Sequence, residues 1–270
     1  MTYPNPTPAS INLYIRRQQG RDVATNTKGK GLTVIIPALN EEARIGPMLN
    51  EYATTYPHAE IIVVINGTTD KTEDVVKGIE RSHKNVRHVV YAERIGKGGA
   101  VQEGFSIARG EFIGFSDADN STPPPEFDKL INALADDTSL AGTIASRRLP
   151  NSFVPQVQPF LRPHAGVMFN KIVRLFFGIP FKDTQCGAKL FRRQPLLAIL
   201  PHLRIKDWAF DIELLYEFHH AGQRILEVPI TWYDKAGSKL QLFRTSWKML
   251  KSAMRLRLIH SPLRFLTGQR

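Results

Sequence analysis

Past residue 30 the chain settles into an alternation of two apolar patterns. Short runs rich in β-branched residues occur at Leu32–Ile36, Glu60–Ile65, Val86–Tyr91 and Glu111–Phe115, each bounded by turn-forming residues, as buried strands are. Between them, Glu41–Ala53, Lys71–Ser82 and Lys97–Ala108 are compatible with helices. The pattern predicts a further strand at Leu140–Ser146, helices near His164–Phe177 and Phe210–His220, and a strand at Arg224–Thr231. Strands alternating with full-length helices imply βαβ units, hence an α/β domain with a mostly parallel central sheet and helices on both faces. Residues 1–30 mix Pro, Asn, Thr, Gly and Arg with little periodicity and read as a loose arm, with a short helix around Ile11–Gln18. There is no internal repeat.

Composition narrows the class. With 270 residues, 42% of them hydrophobic, the chain can build one substantial core. The lone Cys186 excludes an internal disulfide and fits a reducing compartment. It reads as a small core residue, since no activating base lies near it in sequence. No apolar run approaches the length of a membrane span, and the first residues lack the zones of a signal peptide. The expectation is a cytoplasmic protein, peripherally associated with the membrane. The net charge of +11 is concentrated at one end: Lys235 to Arg270 holds nine Lys or Arg and no Asp or Glu. Within this 236–270 segment, Arg244, Lys248, Lys251 and Arg255 recur at helical spacing beside a stripe of Trp247, Leu250, Met254 and Leu258. A basic amphipathic helix over Arg244–Ile259 points to an anionic membrane surface or to packing on the domain, and nucleic acid is not the expected partner.

The unusual polar residues fall at predicted strand ends. Pro37-Ala38-Leu39-Asn40-Glu41-Glu42 follows the first strand, Asn66-Gly67-Thr68-Thr69-Asp70 the second, and Asp117-Ala118-Asp119 the fourth. Ligands of open parallel sheets bind beyond the carboxyl ends of the strands, so the clusters would line one crevice. Two carboxylates leaving a buried strand suit a hard cation, Mg2+ or Mn2+, whose shell a substrate diphosphate would complete; alone, the Asp-x-Asp is also an ordinary polar turn. Arg94-Ile95-Gly96-Lys97-Gly98-Gly99-Ala100 precedes a helix; glycines there would let a phosphate approach the backbone, with Lys97 adding charge. The spacing is not that of a Walker loop. His219-His220 reads as a solvated helix end, Trp208 and Phe210 as packing, and Phe176-Phe177 as facing either core or lipid.

These segments resemble the family 2 glycosyltransferases of the inverting GT-A class. Downstream, Asp183-Thr184-Gln185-Cys186-Gly187-Ala188-Lys189-Leu190-Phe191, Trp208-Ala209-Phe210-Asp211-Ile212-Glu213-Leu214-Leu215 and Gly237-Ser238-Lys239-Leu240 resemble the dolichyl-phosphate β-glucosyltransferase branch. The resemblance covers roughly residues 32 to 260 and implies a GT-A catalytic domain over 31–235. It implies transfer of a hexose, glucose foremost, from a nucleoside diphosphate sugar such as UDP-glucose to a polyprenyl or dolichyl phosphate, with inversion. On this basis Pro37, Leu39 and Glu41 border the nucleotide, and Asn66 and Asp70 lie near base and ribose. Lys97 faces the diphosphate, and Asp117 and Asp119 hold the metal. Asp183, Gln185, Asp211 and Glu213 lie near sugar and acceptor; Asp211, Asp183 and Gln185 are the catalytic candidates, with Arg147 and Lys239 on the acceptor phosphate. The second motif departs from the family: Ile65-Asn66 stands where paired acids are usual, which leaves the base open. Another donor such as GDP-mannose, or a hydroxyl acceptor, is the alternative. The N-terminal membrane anchor of eukaryotic members has no counterpart in residues 1–30.

A phosphomonoester acceptor changes what the site must supply. Its second pKa near ~6 leaves the nucleophile ionised near neutral pH, so charge neutralisation matters more than a general base. The transition state should have oxocarbenium character, with in-line departure of the diphosphate.

Overall fold

The first predicted strand forms as β1 (Leu32–Ala38), and its side chains alternate between two cores. Ile35 enters one and Val34 and Ile36 the other, so both faces of the sheet must be covered by helices. The protein is described here from a computed structural model, which covers residues 28–155 and 161–233. Six further strands join β1: β2 (Glu60–Asn66), β3 (Val86–Tyr91), β4 (Phe112–Ser116), β5 (Gly142–Ser146), β6 (Ala188–Arg192) and β7 (Ile225–Pro229). Their order is β3-β2-β1-β4-β6-β5-β7. Every pairing is parallel except those of β6, which runs antiparallel to both β4 and β5.

The helices are α1 (Ile45–Thr55), α2 (Thr72–Ser82), α3 (Gly96–Ile107), α4 (Pro124–Asp136), α5 (Leu161–Phe177), α6 (Arg193–Ile199) and α7 (Phe210–His220). Phe105 of α3, Phe177 of α5, Leu196 of α6 and Phe210 and Phe218 of α7 share one core with Ile35, Phe115 and Phe191. Tyr52 of α1, Val76 of α2 and Phe127 and Leu130 of α4 share the other with Val34, Ile36 and Leu190. The result is the expected three-layer α/β architecture with a mostly parallel sheet.

Three features depart from the sequence pattern. Strand β6 and helices α4 and α6 lie where no element is expected. β6 hides because Lys189 interrupts its apolar run, although that lysine is fully buried. Helix α1 begins at Ile45 rather than Glu41, because the Glu41 N–H is turned toward the Thr72 hydroxyl, 2.8 Å away, to build the loop after β1. Helix α5 begins at Leu161, before the expected His164. The expected helices at Ile11–Gln18 and Arg244–Ile259, and Lys239, lie outside the described residues. Among the described residues no helix is long and apolar enough to cross a membrane.

Candidate active site

β2, β1 and β4 are parallel neighbours, so their carboxyl ends bring the three polar clusters side by side. Half-buried Pro37 and Leu39 lead out of β1. Asn40 then takes a left-handed conformation, φ 54°, a region that asparagine tolerates better than most side chains. Its amide oxygen accepts the Thr69 N–H at 2.8 Å, and its own N–H donates to the Thr68 hydroxyl at 3.0 Å. Asp70 accepts from the N–H groups of Glu42 and Thr72 and from the Thr72 hydroxyl. Burial opposes its ionisation, yet bonds from Thr72 and Thr68 hold the carboxyl down to about 2. Asp70 therefore braces two strand-end loops against each other. Asn66 is similarly engaged: buried at the end of β2, it accepts the Ile95 N–H at 2.7 Å and so fixes the approach to α3.

The glycines that open α3 make close packing contacts of their own. A methyl group at Gly96 would lie 2.1 Å from the Lys206 carbonyl oxygen, and one at Gly98 would lie 2.4 Å from Phe210 Cβ. The Gly99 N–H donates to that same Lys206 carbonyl at 3.1 Å. These residues let α3 pack against the chain entering α7. That contact carries Lys97 to Asp117 (2.8 Å) and Asp211 (3.5 Å), with the Phe115 and Trp208 rings 5.6 Å and 5.4 Å from its ammonium. Burial would lower the Lys97 pKa, but Asp117 and Asp211 raise it above the usual lysine range.

Asp117 leaves β4, and its N–H donates to the Gly187 carbonyl at 3.0 Å. Asp119 accepts the Ser121 N–H at 2.9 Å, and Asn120 between them is left-handed at φ 57°. From beneath, the Tyr52 hydroxyl donates to the Thr122 carbonyl and the Tyr56 hydroxyl to that of Pro124, which anchors the loop. Burial, Asp119 and Asp211 push the Asp117 carboxyl up despite Lys97 beside it. Glu41 is raised too, by burial first and in part by Asp119 and Asp117. A divalent cation between these carboxylates would favour their ionised form against that burial. Among the described residues no group of three or more His, Cys, Asp or Glu could hold a metal alone. Asp117 and Asp119 fit the open donor set of a cation that draws its remaining ligands from substrate phosphates and water.

Asp211 lies in the first turn of α7, where a carboxylate is favoured by the helix dipole. Its two oxygens face two lysines, Lys97 and the fully buried Lys189, whose ammonium lies 2.5 Å from Oδ1. Lys189 also donates to the Cys186 carbonyl at 2.7 Å and lies 5.2 Å from the Phe115 ring centre. Its role is not visible in the local pattern; the available signal is a charged residue inside the apolar run Ala188–Phe191. Gly187 is the other residue missed: a methyl there would lie 1.8 Å from Asp117 Oδ2.

Asp183 is buried on the loop between α5 and β6 and meets Arg147 just past β5, bound twice by the Arg147 guanidinium (2.7 and 2.9 Å) and once by the Arg147 N–H. Burial would raise its pKa, but Arg147 draws it down to about 2. Trp232 lies under the Arg147 guanidinium at 5.1 Å, and Glu227 accepts the Lys182 and Asp183 N–H groups. Gln185 is half-buried on the same loop. Glu213 accepts the N–H groups of Arg204 and Ile205, which gives it a clear bracing role. Cys186 is buried, its thiol pushed up to about 12 by that burial, as a core cysteine requires. Phe210 is core as expected, whereas Trp208 is 50% exposed beside Lys97 and does not pack inside.

A model of the family described as "Glycosyl transferase family 2" matches residues 33–200, which span β1 to the end of α6 and include Asp117, Asp119 and Asp183. This chain is a family 2 glycosyltransferase. The dolichyl-phosphate beta-glucosyltransferase of Drosophila melanogaster is 36% identical over 257 residues, covering 88% of this chain and 76% of the relative. That of Saccharomyces cerevisiae is 32% identical over 249 residues, covering 85% and 75%. Among solved structures, glucosyl-3-phosphoglycerate synthase from Mycobacterium tuberculosis in complex with UDP superposes with a TM-score of 0.63 at 20% identity, covering 96% of this chain and 85% of that one. The same enzyme in complex with Mn2+, UDP-glucose and phosphoglyceric acid gives 0.63 at 20% identity, covering 95% and 84%. These likenesses establish the GT-A fold.

Proposed function

We propose that this family 2 enzyme transfers glucose from UDP-glucose to a polyprenyl phosphate of the dolichyl type, with inversion, at the cytoplasmic face of a membrane. The activity named for the relatives supports the sugar and the lipid phosphate. What supports a phosphate acceptor over a hydroxyl is the state of the carboxylates. Asp211 is ion-paired with Lys189 and Lys97, and Asp183 with Arg147. Both Asp211 oxygens are already engaged by lysine ammonium groups, and Arg147 holds the Asp183 carboxyl well below the usual carboxylate range. An acceptor that arrives ionised needs no base.

In the proposed reaction an acceptor phosphate oxygen bonds to the anomeric carbon as the bond to the diphosphate breaks, its electron pair leaving with UDP; no proton need move. Lys97 offsets charge on the departing diphosphate from its rigid seat at the start of α3. Pro37, Leu39, Glu41, Asn66 and Asp70 form the nucleotide wall, with Asn66 and Asp70 acting by fixing the loops. Asp211 and Gln185 orient sugar and acceptor. Arg147, held in place by Asp183 and Trp232, offsets acceptor phosphate charge, aided by Lys239. Asp117 and Asp119 would hold Mg2+ or Mn2+, which as a Lewis acid neutralises diphosphate charge.

A screen of UDP- and GDP-sugars with a short polyprenyl phosphate, following radiolabel into the organic phase, tests the reading. Transfer from UDP-glucose to the phosphate is expected. Transfer from GDP-mannose instead, or to a neutral polyprenol or sugar hydroxyl but not to the phosphate, would replace it.

A further inference from the structure

Helix α5 has two faces of opposite character. Asn170, Val173 and Phe177 point inward and are buried. On the opposite side Met168 is 61% exposed, Leu175 84% and Phe176 51%, with Ile172 half-buried between them. Residues 168, 172 and 175 follow helical spacing, so they form one apolar stripe along the outer face. Lys171 and Arg174 are exposed along one flank of that stripe. The helix Leu161–Phe177 contains no Asp or Glu. Leaving large apolar side chains in water at such exposure is unfavourable, and a contiguous row of them marks a surface made to be covered.

We infer that the outer face of α5 docks on an anionic phospholipid surface, with Met168, Ile172, Leu175 and Phe176 entering the acyl boundary and Lys171 and Arg174 meeting the headgroups. The occupant follows from charge. An acid-free, cation-flanked face repels the chain's own acid-free basic segment 235–270, and it attracts an anionic interface. The inner face of the same helix ties the docking surface to the chemistry. The buried Asn170 amide oxygen accepts the Thr184 N–H at 3.1 Å and faces the Thr184 hydroxyl at 2.9 Å, on the loop that carries Asp183 and Gln185. Seating α5 in the interface therefore brings that loop to the headgroup level, where a lipid phosphate resides. The inference rests on the lipid-acceptor reading for its purpose, but its geometry stands independently.

The test uses the full chain and two surface changes, Leu175→Gln with Phe176→Gln, and Lys171→Glu with Arg174→Glu. Because these side chains are exposed, melting temperatures should match the parent. Co-sedimentation is measured with phosphatidylcholine vesicles with and without phosphatidylglycerol. Transfer is measured to a long acceptor in those vesicles and to a short acceptor in detergent. Each pair should weaken binding to phosphatidylglycerol vesicles by about tenfold or more. Transfer to the bilayer acceptor should fall in parallel, and transfer in detergent should survive. Unchanged vesicle binding in both variants would overturn the inference. So would a parent dimer in sedimentation equilibrium that dissociates in Leu175→Gln/Phe176→Gln while lipid binding persists, since a second copy would then be the occupant. If α5 governs vesicle binding but no polyprenyl phosphate is glycosylated, the docking inference holds and the acceptor reading fails.

Discussion

At the scale of single residues the site is a chain of paired charges, and its predictions concern what happens when one member is removed. Asp117 and Asp119 follow β4, and burial, with Asp119 and Asp211, pushes the Asp117 carboxyl up despite the Lys97 ammonium 2.8 Å away. Asp117→Asn or Asp119→Asn should abolish transfer while nucleotide-free melting temperature changes little; near-parent turnover in both variants, or in excess chelator, would remove the metal from the reaction. Gly187 is a steric counterpart of this pair. Gly187→Ala places a methyl 1.8 Å from Asp117 Oδ2, so the carboxylate must move. Activity should fall by about tenfold to a hundredfold, since misplacement by about 1 Å is costly to catalysis; full activity would mean that Asp117 relaxes freely. Asp183 carries a pH signature. Its folded pKa of about 2 lies below an unfolded value near ~3.9, so its pairing with Arg147 stabilises the fold above about pH 4 and that contribution is lost as pH falls through about 2. The amount is about 2–3 kcal/mol. Urea titrations should show the parent's advantage over Asp183→Asn shrinking between about pH 4 and about pH 2; an advantage constant across that window would contradict the assignment.

Secondary-structure elements act here as carriers that deliver side chains to one edge of the sheet. Strand β6 runs against β4 and β5, and its register, which pairs Lys189 with Phe115, turns Lys189 toward the first turn of α7. The start of α3 is held in the same region by the absence of side chains at Gly96 and Gly98. Gly98→Ala would press a methyl to 2.4 Å from Phe210 Cβ and 2.8 Å from the Ile205 carbonyl oxygen. Alanine favours helix by up to ~1 kcal/mol, but overpacking costs about 1–3 kcal/mol and should win in this rigid contact. The expected outcome is a lower urea midpoint together with weaker UDP binding by calorimetry, because α3 would carry Lys97 away from Asp117. A stabilised variant with unchanged UDP affinity would show that the two elements can separate at no cost to the site.

For the molecule as a whole the proposed function raises the question of how a catalytic edge would meet an acceptor anchored in lipid. Under the proposed reading the basic segment Arg244–Ile259 would supply long-range attraction, while α5 presents apolar side chains within the described fold. Changing Lys248, Lys251 and Arg255 to Glu should reduce sedimentation with anionic vesicles and transfer to a bilayer acceptor, with transfer in detergent retained. Parent binding should weaken with added salt, since headgroup attraction is screened over about 8 Å at physiological ionic strength. If the triple variant binds vesicles as the parent does, the segment has no part in docking.

What the sequence determined alone is the local part of this architecture. The alternation of strands and helices, the location of helix Phe210–His220 and the polar clusters at the ends of β1, β2 and β4 all reside in short windows of residues, where periodicity and turn chemistry act. The family was legible for the same reason, in blocks of contiguous motif. The partnerships that give those residues their character were not legible. Asp211 reaches Lys189 across 22 residues, Arg147 reaches Asp183 across 36, and Asn66 reaches Ile95 across 29. Each depends on which elements the topology makes neighbours. The glycines of 96–99 look like a phosphate cradle by composition, and only the fold shows that Gly96 and Gly98 also pack against Lys206 and Phe210. Lys189 looks like a break in a strand until β6 is inserted between β4 and β5, where burial beside Asp211 makes it part of the site. Local order follows from the sequence neighbours; the sharing of charge follows from which distant segments the sheet brings together.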